Sequence, residues 1–170
     1  MSVTATSDLC DAHRDDTGLR VLGADWRAFG RRTAFAGLVT TLQCFEDNTL
    51  VRAALEQAGE GRVLVVDGGG SRRTALLGGK LAQLAERNGW AGVVIEGCVR
   101  DRAELDACDV GIRALGTCPM PPAKRGQGQR DVPVRVAGLP VRPGDWLAAD
   151  ADGVVVLERE PEPALHQTSH

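Results

Sequence analysis

Tyrosine is missing from this 170-residue chain, and all aromatic residues together make up 4% of it. A core so poor in rings must be built from Val, Leu, Ile and Ala, close-packed against glycine-rich turns. Metal-binding cysteine spacing is also lacking. The five cysteines (Cys10, Cys44, Cys98, Cys108 and Cys118) contain no CxxC, and His13, His166 and His170 lie near the chain ends. That argues against a zinc site and, with an odd count, predicts free thiols in a reducing compartment. None of the thiols has a recognisable partner base, so thiol nucleophiles are not expected. No apolar run approaches the ~20 residues of a membrane span, and MSVTATSDLC has no apolar signal core. A cytoplasmic protein without a membrane partner is expected. Positive charge is scarce too: 20 Lys+Arg against 23 Asp+Glu give a net charge of -3. This argues against direct, sequence-independent nucleic-acid binding. The small basic group Lys124, Arg125 and Arg130 reads as a solvated face.

What is present is glycine (21 residues) and an ordinary globular balance of 43% hydrophobic and 25% charged residues. A chain of this length fits one domain, expected over 1–157, with a polar, proline-containing tail over 158–170. Ser7 can cap a short helix through Ala12 that turns Leu9 and Ala12 inward. Arg31 to Phe45 alternates loosely, is rich in β formers and reads as one or two strands, with Gly37 as a bend or bulge. Val51, Ala54, Leu55 and Ala58 then line one helical face that Gly59 closes. Arg62–Val66 and Trp90–Ile95 are short apolar runs typical of buried strands. Between them, Leu77, Leu81, Leu84 and Ala85 recur at helical spacing. This is a βαβ unit, hence a parallel pair with a right-handed crossover. Arg102–Cys108 reads as a short helix and Val110–Leu115 as a further strand. After a long loop over 116–130 come Val132–Val136, Leu139–Val141, Trp146–Ala149 and Val154–Leu157. Turn residues separate them, Asp150-Ala151-Asp152-Gly153 among them, and the segment reads as antiparallel. The fold class expected is α/β, with a central βαβ unit and an antiparallel C-terminal β portion.

Several short segments carry chemistry. Asp67-Gly68-Gly69-Gly70-Ser71 lacks the spacing of a phosphate loop, so its glycines read as a sharp turn. Gly78-Gly79-Lys80-Leu81 opens the central helix. Free amides there suit a carboxylate or phosphate, and the glycines equally suit a tight strand-to-helix junction. Arg100-Asp101 follows the second buried strand, where open α/β sheets place ligands. Arginine offers a fork for an enolate or carboxylate, and aspartate offers hard oxygen for Mg²⁺ or Mn²⁺. Asp101-x-x-Glu104 also has the form of a capping box for the next helix. Asn48 has the form of an N-cap. Trp26, Trp90 and Trp146 are scattered and read as core or interface residues.

Taken in order, DLCDAH, FAGLVTTLQCFEDN, VLVVDGGGS, ALLGGKLAQLAERNGWAGVVIEGCVRD, LGTCP and PGDWLAADADGVVVL resemble one family from about Ser7 to Leu157. It is the family of the regulator of ribonuclease E activity A and the 4-hydroxy-4-methyl-2-oxoglutarate aldolases. The resemblance implies a swivelling β/β/α domain, assembled as a homotrimer or a dimer of trimers, with sites at subunit interfaces. It implies a divalent-metal-dependent class II aldolase that splits 4-hydroxy-4-methyl-2-oxoglutarate into two pyruvates and also decarboxylates oxaloacetate. On that pattern Gly78, Gly79, Lys80 and Leu81 hold the carboxylate of a small 2-oxo acid, and Arg100 contacts the enolate oxygen. Asp101 ligates the metal, and Asn48 is a polar neighbour of the site. The alternative implied is a non-catalytic regulator that binds a ribonuclease. Members acting only as regulators can lack the Arg-Asp pair, which this chain keeps.

One departure from the family pattern concerns proton transfer. The head of the central helix often reads Gly-Asp or Gly-Glu in the family, and here it is Gly78-Gly79. The missing acid is a candidate for relaying a proton to the pyruvyl carbon. Glu46, Asp47 or an acid of a neighbouring subunit are the replacements considered, and restoring an acid at position 79 is expected to raise turnover.

Overall fold

The computed structural model describes residues 3–163. Four helices and twelve strands alternate among them. The helices are α1 (Thr6–His13), α2 (Thr49–Leu55), α3 (Gly79–Arg87) and α4 (Arg102–Ala107). The strands are β1 (Arg20–Val21), β2 (Arg27–Phe29), β3 (Phe35–Gln43), β4 (Val63–Asp67), β5 (Ala75–Leu77) and β6 (Gly92–Val99). They continue with β7 (Gly111–Thr117), β8 (Gln129–Arg130), β9 (Val134–Val136), β10 (Leu139–Val141), β11 (Trp146–Asp150) and β12 (Gly153–Leu157). Residues 158–163 form neither helix nor strand, and the rest of the expected tail lies outside the described residues.

Ten strands form one mixed sheet along the path β1-β12-β11-β3-β4-β6-β7-β2, with β5 attached to β6 and β8 to β3. The pairs β3–β4, β4–β6 and β6–β7 are parallel, so the expected βαβ unit lies at the centre. The expected antiparallel portion is also present, as the β11–β12 hairpin and a separate β9–β10 hairpin. The first half of β3 pairs with β11 and its second half with β4, so this strand joins the antiparallel and parallel parts. This is a curled mixed sheet of the swivelling β/β/α type.

The period of two along the buried strands explains the layers. Leu64 and Val66 of β4 and Val93 and Ile95 of β6 face a core shared with α2, α3 and α4. Val63 and Val65 of β4 and Val94 of β6 face the opposite core, which the β9–β10 hairpin helps to close. Strands covered on both faces need apolar residues at successive positions, hence their unbroken valine runs. Each fully buried Val or Leu contributes roughly 1.5–3 kcal/mol.

Phe35 shows how the few rings are used. A Cβ built at Gly92 or Gly111, the first residues of β6 and β7, would overlap this ring. The two glycines form its seat, and Arg113 stacks 5.3 Å from its centroid. Trp90 is 2% exposed, and its Nε1 donates to Gln57 O at 3.1 Å, so it is a core residue.

Several local expectations need correction. Helix α1 starts from Ala5, not Ser7; Ala12 is exposed, and Thr6 and Leu9 are the buried pair. Thr6 N and Oγ1 both donate to the Asp150 carboxylate, at 2.8 and 2.7 Å, which ties the helix to β11. Gly37 lies within a regular stretch of β3 opposite Leu147 and makes no bulge. It is needed because a Cβ there would overlap Gly61 O in the turn before β4. Helix α2 ends at Leu55, leaving Ala58 exposed. Leu77 belongs to β5, not to the helix that follows.

Candidate active site

The parallel strands point their C-terminal ends at one rim of the sheet, and the candidate residues gather there. A cleft of about 390 Å³ is lined by Asn48, Gly78, Gly79, Lys80, Leu81, Arg100 and Asp101. Every site residue expected from the sequence is therefore in one place. Arg100 and Asp101 follow β6, Gly78–Leu81 open α3, and Asn48 opens α2.

The turn after β6 is bound tightly to the helix head. Asp101 adopts a left-handed backbone, φ 65° and ψ 48°. That conformation is uncommon outside glycine, although Asp and Asn adopt it more readily than other residues. Its Oδ2 accepts a hydrogen bond from Gly79 N at 3.0 Å. A Cβ at Gly78 would lie 2.7 Å from that same Oδ2, so glycine 78 leaves room for the carboxylate. Arg100 N donates to Leu77 O at 3.0 Å, a second tie between the two turns. The Arg100 guanidinium donates to Pro119 O at 3.3 Å.

These contacts decide between the alternatives left open by spacing. Asp101 occupies the N-cap position of α4 but makes no side-chain cap bond, so the capping-box reading is overturned. Asn48 likewise occupies the N-cap position of α2 without capping; its Nδ2 donates to Leu76 O at 3.3 Å. The neighbouring Asp47 does the capping, with Oδ1 accepting from Thr49 N and Oγ1 at 2.9 and 2.8 Å. At the head of α3 the first intrahelical bond runs from Ala82 N to Gly78 O. The amides of Lys80 and Leu81 precede it and need an external acceptor. Gly79's amide, also expected to hold substrate, is already engaged by Asp101.

Five further cleft residues matter that the sequence did not single out for the site. Arg52 and Lys124 line it, together with Thr49, Pro122 and Glu104. Lys124 is solvent-exposed, as expected, and also borders the cleft. The loop bearing it is drawn in by Asp47, whose Oδ2 accepts from Arg125 N at 2.7 Å and Gln127 N at 3.5 Å. Burial opposes the Asp47 charge, yet these bonds and those of Thr49 hold its carboxyl below the usual range. The cleft thus faces Arg52, Lys80, Arg100 and Lys124 against two carboxylates, Asp101 and Glu104.

Two of the replacement acids expected from sequence, Glu46 and Asp47, are engaged elsewhere. Glu46 is paired with Arg73, at 2.9 Å from its Nε, and Asp47 is buried under the loop it anchors. The glycine run Gly68–Gly70 is a turn, as expected, with positive φ at Gly69 and Gly70. A smaller cavity of about 270 Å³ beside it is bordered by Cys44, Phe45, Asp67 and Gln127. The cysteines of the described residues are all free.

A divalent metal is implied by the family, and the donor set bears on it. Among the described residues no group of three or more His, Cys, Asp or Glu side chains converges. That excludes a closed protein cage but suits Mg²⁺, which takes one or two carboxylates and keeps several waters. Asp101 uses Oδ2 toward Gly79 and has Oδ1 left for a cation, so the residues present fit.

A helix head, an arginine and an aspartate meet at one sheet rim of this α/β domain, an arrangement whose chemistry suits small anions. The chain matches the RraA-like (Aldolase/RraA) family model over residues 6–156 and belongs to that family. It is 59% identical over 156 residues to the Cupriavidus necator protein named "Putative 4-hydroxy-4-methyl-2-oxoglutarate aldolase", covering 90% of this chain and 94% of that one. Its fold matches the RNA-processing inhibitor RraA of Thermus thermophilis, with TM-score 0.91, 48% identity and coverage of 96% and 98%. It also matches a Geobacillus kaustophilus structure described as an S-adenosylmethionine:2-dimethylmenaquinone methyltransferase, with TM-score 0.89, 48% identity and coverage of 92% and 96%. One fold carries three functional names, so the reading of function rests on the site. No helix of the described residues is long and apolar enough to cross a membrane.

Proposed function

We propose that this protein is a divalent-metal-dependent carbon–carbon lyase that forms pyruvate. Its substrate is 4-hydroxy-4-methyl-2-oxoglutarate, and oxaloacetate is decarboxylated as a side reaction. The observation that carries this is the tie between Asp101 and Gly79, which sets a carboxylate, Arg100 and the open amides of α3 around one cleft. The cation-rich lining favours a substrate with two carboxylates.

Lys80 and Leu81 amides bind the carboxylate next to the ketone, aided by the helix dipole. Arg100 lies beside the ketone oxygen and holds the negative charge that grows there as the bond to the methylene carbon breaks. Because that charge is larger in the transition state than in the ketone, Arg100 accelerates the step rather than only binding. Arg52 and Lys124 hold the second carboxylate, and Asn48 orients the bound acid. Asp101 would hold Mg²⁺ or Mn²⁺, and the bound ion would supply positive charge to stabilise the developing enolate. The working unit is a homotrimer in the cytoplasm.

The direct test is an assay of purified protein with each substrate, with Mg²⁺, with Mn²⁺ and with chelator. Metal-dependent pyruvate release is expected. Equal rates with and without chelator reject the metal-dependent reading; no pyruvate from either substrate rejects the lyase. The regulatory reading draws support from the name of the Thermus relative. It predicts that purified protein lowers the cleavage rate of a ribonuclease E-type enzyme, and Asp101→Asn leaves that effect intact.

A further inference from the structure

A glycine at the head of α3 looks, in sequence, like the loss of an acid. In three dimensions an acid is there, delivered from another element. A Cβ built at Gly79 would overlap Glu104 Oε2 and lie 2.7 Å from Glu104 Cδ and 2.8 Å from its Cβ. The Glu104 side chain therefore fills the volume that a residue at position 79 would use. It comes from the first turn of α4, one turn beyond Asp101, and lines the same cleft as Arg100 and Lys80.

The other carboxylates nearby are committed. Asp101 bonds the Gly79 amide, Asp47 caps α2 and anchors its loop, and Glu46 pairs with Arg73. Among the described residues no hydrogen bond or ion pair engages the Glu104 carboxylate. The exposed position of the residue lets substrate and water reach it.

We propose that Glu104 is the proton-carrying catalytic residue of the pyruvate-forming reaction, an inference that rests on the lyase reading above. The carboxylate takes the proton of the C4 hydroxyl. The C3–C4 bond then breaks: the hydroxyl oxygen becomes the carbonyl of one pyruvate, and the bonding pair passes into the enolate of the other. Glu104 returns the same proton to C3, which becomes the methyl group. Atoms and charge balance, and the carboxylate ends as it began. Glycine at 79 is then a steric requirement of Glu104. The gain in turnover expected from sequence for Gly79→Asp is replaced by a loss, because the new side chain displaces the acid already present.

The reverse half of the step gives a readout that needs no cleavage. In D₂O with Mg²⁺, the protein is expected to exchange the methyl protons of pyruvate, followed by NMR. Glu104→Gln should slow exchange about 100-fold, the usual scale for a lost acid–base group. Pyruvate affinity, measured by titration calorimetry, should stay within about twofold, and Glu104→Asp should recover part of the exchange. Exchange by Glu104→Gln within about threefold of the parent, with the parent active, overturns the role of Glu104 and leaves the lyase reading standing. A parent that neither exchanges nor releases pyruvate overturns both. Shared space is tested by thermal melting: Gly79→Ala should lower Tm, and adding Glu104→Ala should restore most of the loss. Additive losses would show that the two positions do not compete for one volume.

Discussion

The carboxylate of Asp101 reaches across to the amide of Gly79, 3.0 Å away, and so joins the turn after β6 to the head of α3. One bond brings the Asp101 carboxylate, Arg100 and the open amides of Lys80 and Leu81 into a single rim. The side chain holds backbone through Oδ2 and, on the function proposed above, has a second job in offering Oδ1 to a metal.

Substitution of Asp101 separates those jobs. Asp101→Asn keeps the tolerance for a left-handed backbone and an oxygen for Gly79. Its stability should stay within about 0.5–1 kcal/mol of the parent. Pyruvate release should fall to background, with Mn²⁺ binding by electron paramagnetic resonance lost in parallel. Asp101→Ala should lose both activity and about 1–2 kcal/mol, because alanine disfavours that backbone. Full Mn²⁺ binding by the Asn variant would remove Asp101 as the ligand.

Arg100 is expected to act on the transition state. Arg100→Ala should lower kcat about 100-fold or more, the scale for a lost oxyanion donor, with a smaller change in KM. Arg100→Lys should recover little, since a point charge does not reproduce the planar fork. A variant changed in KM alone would make Arg100 a binding group only.

Asp47 makes a pH prediction for stability. Despite burial, hydrogen bonds from Thr49, Arg125 and Gln127 lower its folded pKa. Its stabilisation is therefore complete above the unfolded value of about 3.9 and is lost as pH falls through the lower folded value. Asp47→Ala should cost about 1–3 kcal/mol at pH 7 through unpaired amides. The gap between parent and variant in urea melts should shrink only below about pH 4. A gap that stays constant from pH 7 to pH 3 would locate the effect in packing.

Cys44 should be chemically quiet. Burial first, then the negative charges of Asp47 and Asp67, push its thiol up to about 12. The thiolate is the reactive form, so folded protein at pH 8 should leave Cys44 unmodified by iodoacetamide, read by peptide mass spectrometry. Denatured protein should label at all five cysteines. Rapid native labelling of Cys44 would show that the adjoining cavity opens.

Phe35 and its glycine seat test the curl of the sheet. Gly111→Ala should destabilise by about 1–3 kcal/mol, since the added methyl overlaps the ring. Phe35→Leu in the same chain should relieve part of that loss. Equal stability of Gly111→Ala and parent would place the ring elsewhere.

Much of the architecture was written locally. Apolar runs such as Val63–Val66 announce strands covered on both sides, and Leu81, Leu84 and Ala85 announce a helix between them. The βαβ unit and the late hairpins follow from such patterns. Strand β5 and the edge strands β1 and β2 were not legible, because two or three residues carry no period. Leu77 was drawn into the wrong element since it falls at helical spacing from Leu81. Asp101-x-x-Glu104 and Asn48 misled for another reason. Caps and ligands use the same residue types, and only the direction of the side chain separates them.

By itself, then, the sequence determined the class of fold, the order of its longer elements and the cleft residues Asn48, Gly78–Leu81, Arg100 and Asp101. Local hydrophobic period and turn chemistry act over a few neighbours, and that information lies in the chain. Which acid fills the space beside Gly79 was decided only by tertiary structure. Glu104 is 25 positions away along the chain, and it arrives there because the parallel pairing of β5 with β6 stacks the turn after β6 on the helix that follows β5.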